Sequence, residues 1–100
     1  MSVSVNYFVY IITNKNNTVL YTGFTDDLER RTYEHRNKIH KGFSLKYNCF
    51  KLVYFEEFKE MADALHREVQ LKKYRRKWKE NLINEFNPDW RDLYEDFVVD

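Results

Sequence analysis

Six residues in this chain have types and spacings suited to hydrolysing a phosphate ester: Tyr10, Tyr21, Gly23, Arg31, His35 and, further on, Glu68. A phenol has an ordinary pKa of about 10 and serves as a base only where a neighbouring cation helps it shed its proton. Tyr10 and Tyr21 fall on two neighbouring strands whose side chains can face the same way. Gly23 closes the second strand and, having no side chain, lets a phosphate or a helix approach the backbone closely. Arg31 and His35 are four residues apart, so they project from one side of the helix that follows. An arginine fork matches a phosphate and stabilises the charge that gathers on its oxygens. Glu68, beside the apolar stripe of a later helix, is the carboxylate best placed to hold a metal. One carboxylate completed by waters and substrate oxygens is a common way of holding Mg²⁺ or Mn²⁺.

Each of these residues also has an ordinary reading. Both tyrosines are good strand formers, Arg31 has Glu29 and Glu34 as ion-pair partners, and His35 suits a hydrogen-bonded core position. Glu68 pairs with Lys72 at helical spacing, and Gly23 can simply close a turn. Only their joint occurrence points to chemistry. His40 and His66 lack metal-ligand spacing, and Cys49 reads as a small core residue.

The elements that must carry these residues are legible in outline. Residues 6–13 are rich in β-branched and aromatic types and predict a strand. Asn14 to Asn17 is turn chemistry, since asparagine tolerates left-handed backbone. Residues 18–23 predict the second strand of a hairpin. Asp26 with Glu29 three residues on marks a helix start, and Leu28, Arg31, Thr32, His35 and Ile39 then share a stripe. A loop around Gly42 leads to a third strand over 50–58. A helix over about 59–74 buries Met61, Leu65 and Val69, and another over about 75–86 stops at Asn87-Pro88, because proline cannot continue it. The expected architecture is α+β: a small three-stranded antiparallel sheet flanked by helices in the order ββαβαα, built as one layer pair.

Length and composition fit that outline. One hundred residues predict a single domain, with a core over about 7–86 and an acidic tail, 87–100, packed on it through Trp90, Leu93, Tyr94 and Phe97. The chain is 43% hydrophobic and 18% aromatic, and no stretch approaches the roughly 18 apolar residues of a membrane span. The N-terminus has no signal-peptide pattern, and a single cysteine fits a reducing compartment. These features predict a cytoplasmic protein that does not engage a membrane. The net charge of +1 is unevenly spread: the tail sets five acids against Arg91, for −4, leaving +5 on the rest. Lys72, Lys73, Arg75, Arg76, Lys77 and Lys79 surround Tyr74 and Trp78. Basic residues interleaved with aromatics suit a phosphate backbone with bases beside it, although such a run is also an ordinary solvated helix face.

The ordered set Tyr10, Tyr21-x-Gly23, Arg31, His35 and Glu68 resembles the GIY-YIG nuclease family over residues 7–84. The stretches Leu28-Glu29-Arg30-Arg31-x-x-x-His35 and Glu68-Val69-Gln70-Leu71-Lys72-Lys73 are similar to its small stand-alone bacterial members. Phe8, Val9 and Thr22 depart from the name-giving triplets but replace no reactive group. Asn81 and Asn84 compete for the place of an asparagine that often follows the glutamate. The resemblance implies a metal-dependent endonuclease acting on DNA. Arg31 would steady the scissile phosphate, and Glu68 would hold one divalent ion, Mg²⁺ or Mn²⁺. A tyrosine would act as base, Tyr10 being preferred for its neighbour His35. Lys72, Lys73, Arg75 and Arg76 would bind the nucleic acid. Family members that cut defined targets usually carry a separate binding domain, so the resemblance implies a protein partner that supplies targeting. The competing reading is a non-catalytic nucleic-acid-binding or partner-docking module on the same fold.

Overall fold

The computed structural model describes residues 6–39 and 42–97, apart from the side chain of Phe43. His40 and the last three residues of the acidic tail, including Asp100, lie outside that range. Three antiparallel strands, β1 (Tyr7–Thr13), β2 (Leu20–Thr25) and β3 (Lys51–Phe58), form one sheet in the order β2-β1-β3. The hairpin between β1 and β2 is closed as its asparagines require. Asn14 Oδ1 accepts from the amides of Thr18 and Val19, and Asn17 takes the left-handed backbone with φ 58°.

β1 is the central strand and is buried on both sides. Val9 and Ile11 join Val53, Tyr54, Ala64, Leu71 and Ile83 on one face. Tyr10 and Ile12 join Leu28, Cys49, Leu52 and Leu93 on the other. The sheet is therefore sandwiched, where one layer pair was expected. Helices α3 (Met61–Lys72) and α4 (Arg76–Phe86) cover the first face. Helix α1 (Leu28–Arg36), the short α2 (Phe43–Lys46) and a 3₁₀ turn (Leu93–Phe97) cover the second. A bulge in β3 helps fill both faces: Ile11 pairs with Tyr54 and Ile12 with Leu52, so Val53 is the extra residue and points with Tyr54. The Val53 carbonyl is met by the buried amide of Asn87 at 3.2 Å.

Several boundaries differ from expectation for identifiable reasons. β2 continues past Gly23 to Thr25, because Gly23 pairs directly with Tyr10 inside the hairpin. The N-cap of α1 is Asp27, one residue later than expected, and its carboxylate accepts from the Arg30 amide at 3.1 Å. α1 ends at Arg36, so Ile39 lies beyond the helix and is exposed, while Leu28, Thr32 and His35 are buried. α2, a single turn, replaces part of the expected loop.

The largest correction concerns α3. Met61, Leu65 and Val69, expected in the core, are 50%, 37% and 51% exposed. The buried residues are Ala64 and Leu71, with Arg67 and Glu68 half-buried between them. Small Ala64 faces the sheet, and the charged pair follows it inward because partners are waiting. Arg67 is held by the Glu56 carboxylate at 3.0 Å, by Gln70 at 2.6 Å and by the Tyr74 hydroxyl at 3.3 Å. A charge satisfied in this way can occupy a position that hydrophobicity alone would give to leucine.

Of the tail, Leu93 is buried beside Leu52 and Ile12, and the Asp92 carboxylate accepts from the amides of Leu52 and Tyr94, both at 3.1 Å. Arg36 pairs with Asp92 and lies over the Tyr94 ring. No helix among the described residues is long and apolar enough to cross a membrane.

Candidate active site

The site is built from the edge of the hairpin upward. Tyr10 on β1 and Tyr21 on β2 point to the same face, because Tyr10 pairs with Gly23 and Ile12 with Tyr21. Their ring centroids are 6.4 Å apart, and each lies 5.7 Å from the His35 ring brought in by α1. Tyr10 Oη and His35 Nε2 are 2.9 Å apart, and His35 Nδ1 is 2.9 Å from Ser44 Oγ on α2. Tyr10, His35 and Ser44 are all buried, Tyr10 completely.

Gly23 has a different task from the one its sequence position suggests. A Cβ added there would collide with Cζ and Oη of Tyr10. What approaches this backbone is therefore the Tyr10 ring, which lies across the neighbouring strand, and the space serves the phenol directly.

Arg31, half-buried on α1, hydrogen-bonds the Tyr10 hydroxyl. It also donates to the Phe24 carbonyl at 3.4 Å and pairs with Glu34 at 3.3 Å. Glu68, on α3, is close enough for its charge to act weakly on Tyr10. Burial, reinforced by Tyr21, pushes the Tyr10 pKa well above the ordinary phenol range, with Arg31 opposing and Glu68 adding to the rise. Tyr10 is thus a neutral phenol in this environment. Tyr21 is only half-buried. The sequence preference for Tyr10 as base meets a physical obstacle here, because an enclosed hydroxyl does not meet an attacking water.

Glu68 is 17% exposed, and its ion pair is with Lys72 at 3.1 Å, whose side chain is 52% exposed. Among the described residues no group of three or more His, Cys, Asp or Glu could hold a metal. A cation here would have one carboxylate and would complete its shell with oxygen from water and phosphate, which suits a hard ion such as Mg²⁺. The residues present fit such an ion.

The basic segment divides. Lys73 and Arg75 are exposed at the corner between α3 and α4, while Lys72 pairs with Glu68. Arg76, expected on the nucleic acid, is engaged within the fold. It donates to the carbonyls of Asn17 and Thr18 at 2.8 and 2.7 Å and pairs with Glu80. Lys79 is half-buried, and burial together with Lys72 lowers its pKa. Trp78 is exposed and stands edge-on to Tyr74, ring centroids 5.3 Å apart.

Ser44 is the participant that sequence reading missed. A one-turn helix has no periodicity to read, and a serine in a loop has no distinguishing neighbours. The available signal was that a buried histidine needs a partner on each ring nitrogen.

Comparison with known proteins agrees with this geometry. The profile of the GIY-YIG catalytic domain matches residues 6–81. A UPF0213 protein of Clostridium perfringens is 39% identical over 77 residues, covering 77% of this chain and 82% of its own. One from Haloquadratum walsbyi is 37% identical over 79 residues, covering 79% and 88%. The solution NMR structure of a UPF0213 protein from Bacillus halodurans superposes with a TM-score of 0.56 at 28% identity, over 87% of this chain and 92% of that one. With its sheet, its two tyrosines and three quarters of its length accounted for, the chain belongs to the GIY-YIG nuclease family.

Proposed function

We propose that this protein is a divalent-metal-dependent endonuclease that hydrolyses DNA phosphodiester bonds. The observation that carries this reading is the convergence of Arg31, His35 and both phenols at one end of the hairpin, with the charge of Glu68 acting on the same point. Arg31 grips the non-bridging oxygens of the scissile phosphate, where its fork is worth most as charge accumulates. Tyr21 is the phenol with surface open to solvent, so it takes the proton of the attacking water. Tyr10 stays protonated and holds Arg31 and His35 in place. Glu68 would hold the single cation, Mg²⁺ or Mn²⁺, which when bound supplies positive charge for the departing oxygen. Lys73 and Arg75, with Lys72 once it leaves Glu68, bind flanking phosphates. Arg76 contributes by fixing the hairpin turn.

The test is a cleavage assay on labelled duplex, nicked, flap, branched and single-stranded DNA with Mg²⁺, Mn²⁺ or EDTA. The parent protein should cut only with metal, and Glu68→Ala, Arg31→Ala and Tyr21→Phe should not cut. Tyr10→Phe should lose less than Tyr21→Phe. Cleavage surviving in Glu68→Ala would overturn the metal assignment. Binding without cleavage by the parent, lost in Lys73→Ala/Arg75→Ala, would favour a docking module instead.

A further inference from the structure

The hydrogen bonds around His35 have a direction that can be worked out from their ends. A guanidinium only donates, so the bond between Arg31 and Tyr10 uses a lone pair of the phenol oxygen. The hydrogen of Tyr10 is then free to point along its 2.9 Å contact to His35 Nε2. A neutral imidazole carries one donor and one acceptor nitrogen. If Nε2 accepts, Nδ1 bears the hydrogen and donates it to Ser44 Oγ, also at 2.9 Å. The sequence of donors therefore runs Arg31 to Tyr10 and Tyr10 to His35, ending with His35 donating to Ser44.

We infer that Ser44 is a positioning residue for the nuclease site: by accepting the Nδ1 hydrogen it holds His35 in the tautomer that keeps the Tyr10 oxygen available to Arg31. In the opposite tautomer Nε2 and Arg31 would both donate to Tyr10, turning its own hydrogen away from both inside a wholly buried position. Ser44 is well fixed for this task. It is 2% exposed, and its carbonyl accepts from the Cys49 amide at 2.8 Å. Through this sequence a residue that touches neither substrate nor metal sets how Arg31 is presented to a phosphate. The activity consequence rests on the reading given above, whereas the tautomer does not.

The experiment records two-bond ¹⁵N–¹H correlations of the His35 ring, with His40 and His66 replaced by glutamine so that one ring is observed. It compares this parent with Ser44→Ala and Ser44→Thr made on it, without nucleic acid. The parent should show a protonated Nδ1 and a bare Nε2. Ser44→Ala should shift the ring toward the other tautomer, and Ser44→Thr, which keeps a hydroxyl, should restore it. Cleavage should fall about tenfold in Ser44→Ala and recover in Ser44→Thr. A bare Nδ1 in the parent, or an unchanged ring in a folded Ser44→Ala, overturns the inference. A ring that responds as expected in a protein that cuts no DNA supports Ser44 and refutes the nuclease reading.

Discussion

The two faces of the sheet are finished in opposite ways although one strand supplies both. Beneath α3 and α4, β1 contributes Val9 and Ile11 to an apolar cluster, and the half-buried ion pair of that side, Arg67 with Glu56, is braced by Gln70 and Tyr74. Beneath α1 and α2, the same strand contributes Tyr10 to a buried polar line through His35 to Ser44. Arg67 and its chain neighbour Glu68 show the contrast at the smallest scale. Arg67 is tied to three residues, Glu56, Gln70 and Tyr74, while Glu68 is paired with one largely exposed lysine that can release it. Surface pairs of that kind contribute little to stability. Both faces carry buried apolar core, but only the second encloses a polar line within it, from Tyr10 through His35 to Ser44.

Glu68→Gln gives the sharpest form of the comparison. It keeps the shape and removes the charge that would hold the cation. Cleavage should fall on the order of 10³-fold, corresponding to several kcal/mol of lost charge stabilisation. The melting temperature should barely move. A large drop in stability would mean that Glu68, like Arg67, belongs to the scaffold.

Ile83→Ala probes the opposite face. Ile83 is fully buried against the α3–α4 side of the sheet, and truncating such a residue costs about 2–5 kcal/mol. Urea unfolding should register that loss, while cleavage per folded molecule stays unchanged. A selective loss of activity would show that the faces are not independent.

Gly23→Ala should strike both properties at once. The added methyl would collide with Cζ and Oη of Tyr10, and overpacking of this kind costs about 1–3 kcal/mol. Relief requires the phenol to swing off His35, so the His35 ring signals should change with the loss of stability. An unperturbed ring in a stable variant would mean that the strands separate to admit the methyl.

These contrasts also explain how far the sequence could be read. β1, the asparagine hairpin and the stop at Asn87-Pro88 rest on local chemistry, and all three are legible. So is the grouping of Tyr10, Tyr21, Arg31 and His35, because strand alternation and helical spacing bring them to one side. The orientation of α3 was not legible. Its apolar stripe points outward because Arg67 finds Glu56, eleven residues away on β3, and that pairing exists only in three dimensions. The bulge at Val53 and the turn that delivers Ser44 depend on long-range contacts in the same way. That Tyr10 is enclosed while Tyr21 keeps surface open to solvent likewise depends on packing, which neighbours in sequence do not reveal.

The smallest effect separates the faces by pH. Cys49 lies on the polar face at 1% exposure, and burial pushes its thiol from about 9 up to about 11. Between those values the unfolded chain has released the proton and the folded chain retains it. The unfolded state then binds fewer protons, so stability falls as pH rises through that window. Tyr10 on the same face and Tyr54 on the other are pushed upward by burial as well, so their contributions begin only above the ordinary phenol value near 10. Cys49→Val keeps an apolar side chain of similar size. It should flatten the decline in the urea midpoint between about pH 9 and 10 and leave the steeper fall above about pH 10. An unchanged decline over the lower interval would assign the whole alkaline sensitivity to the two phenols, one on each face.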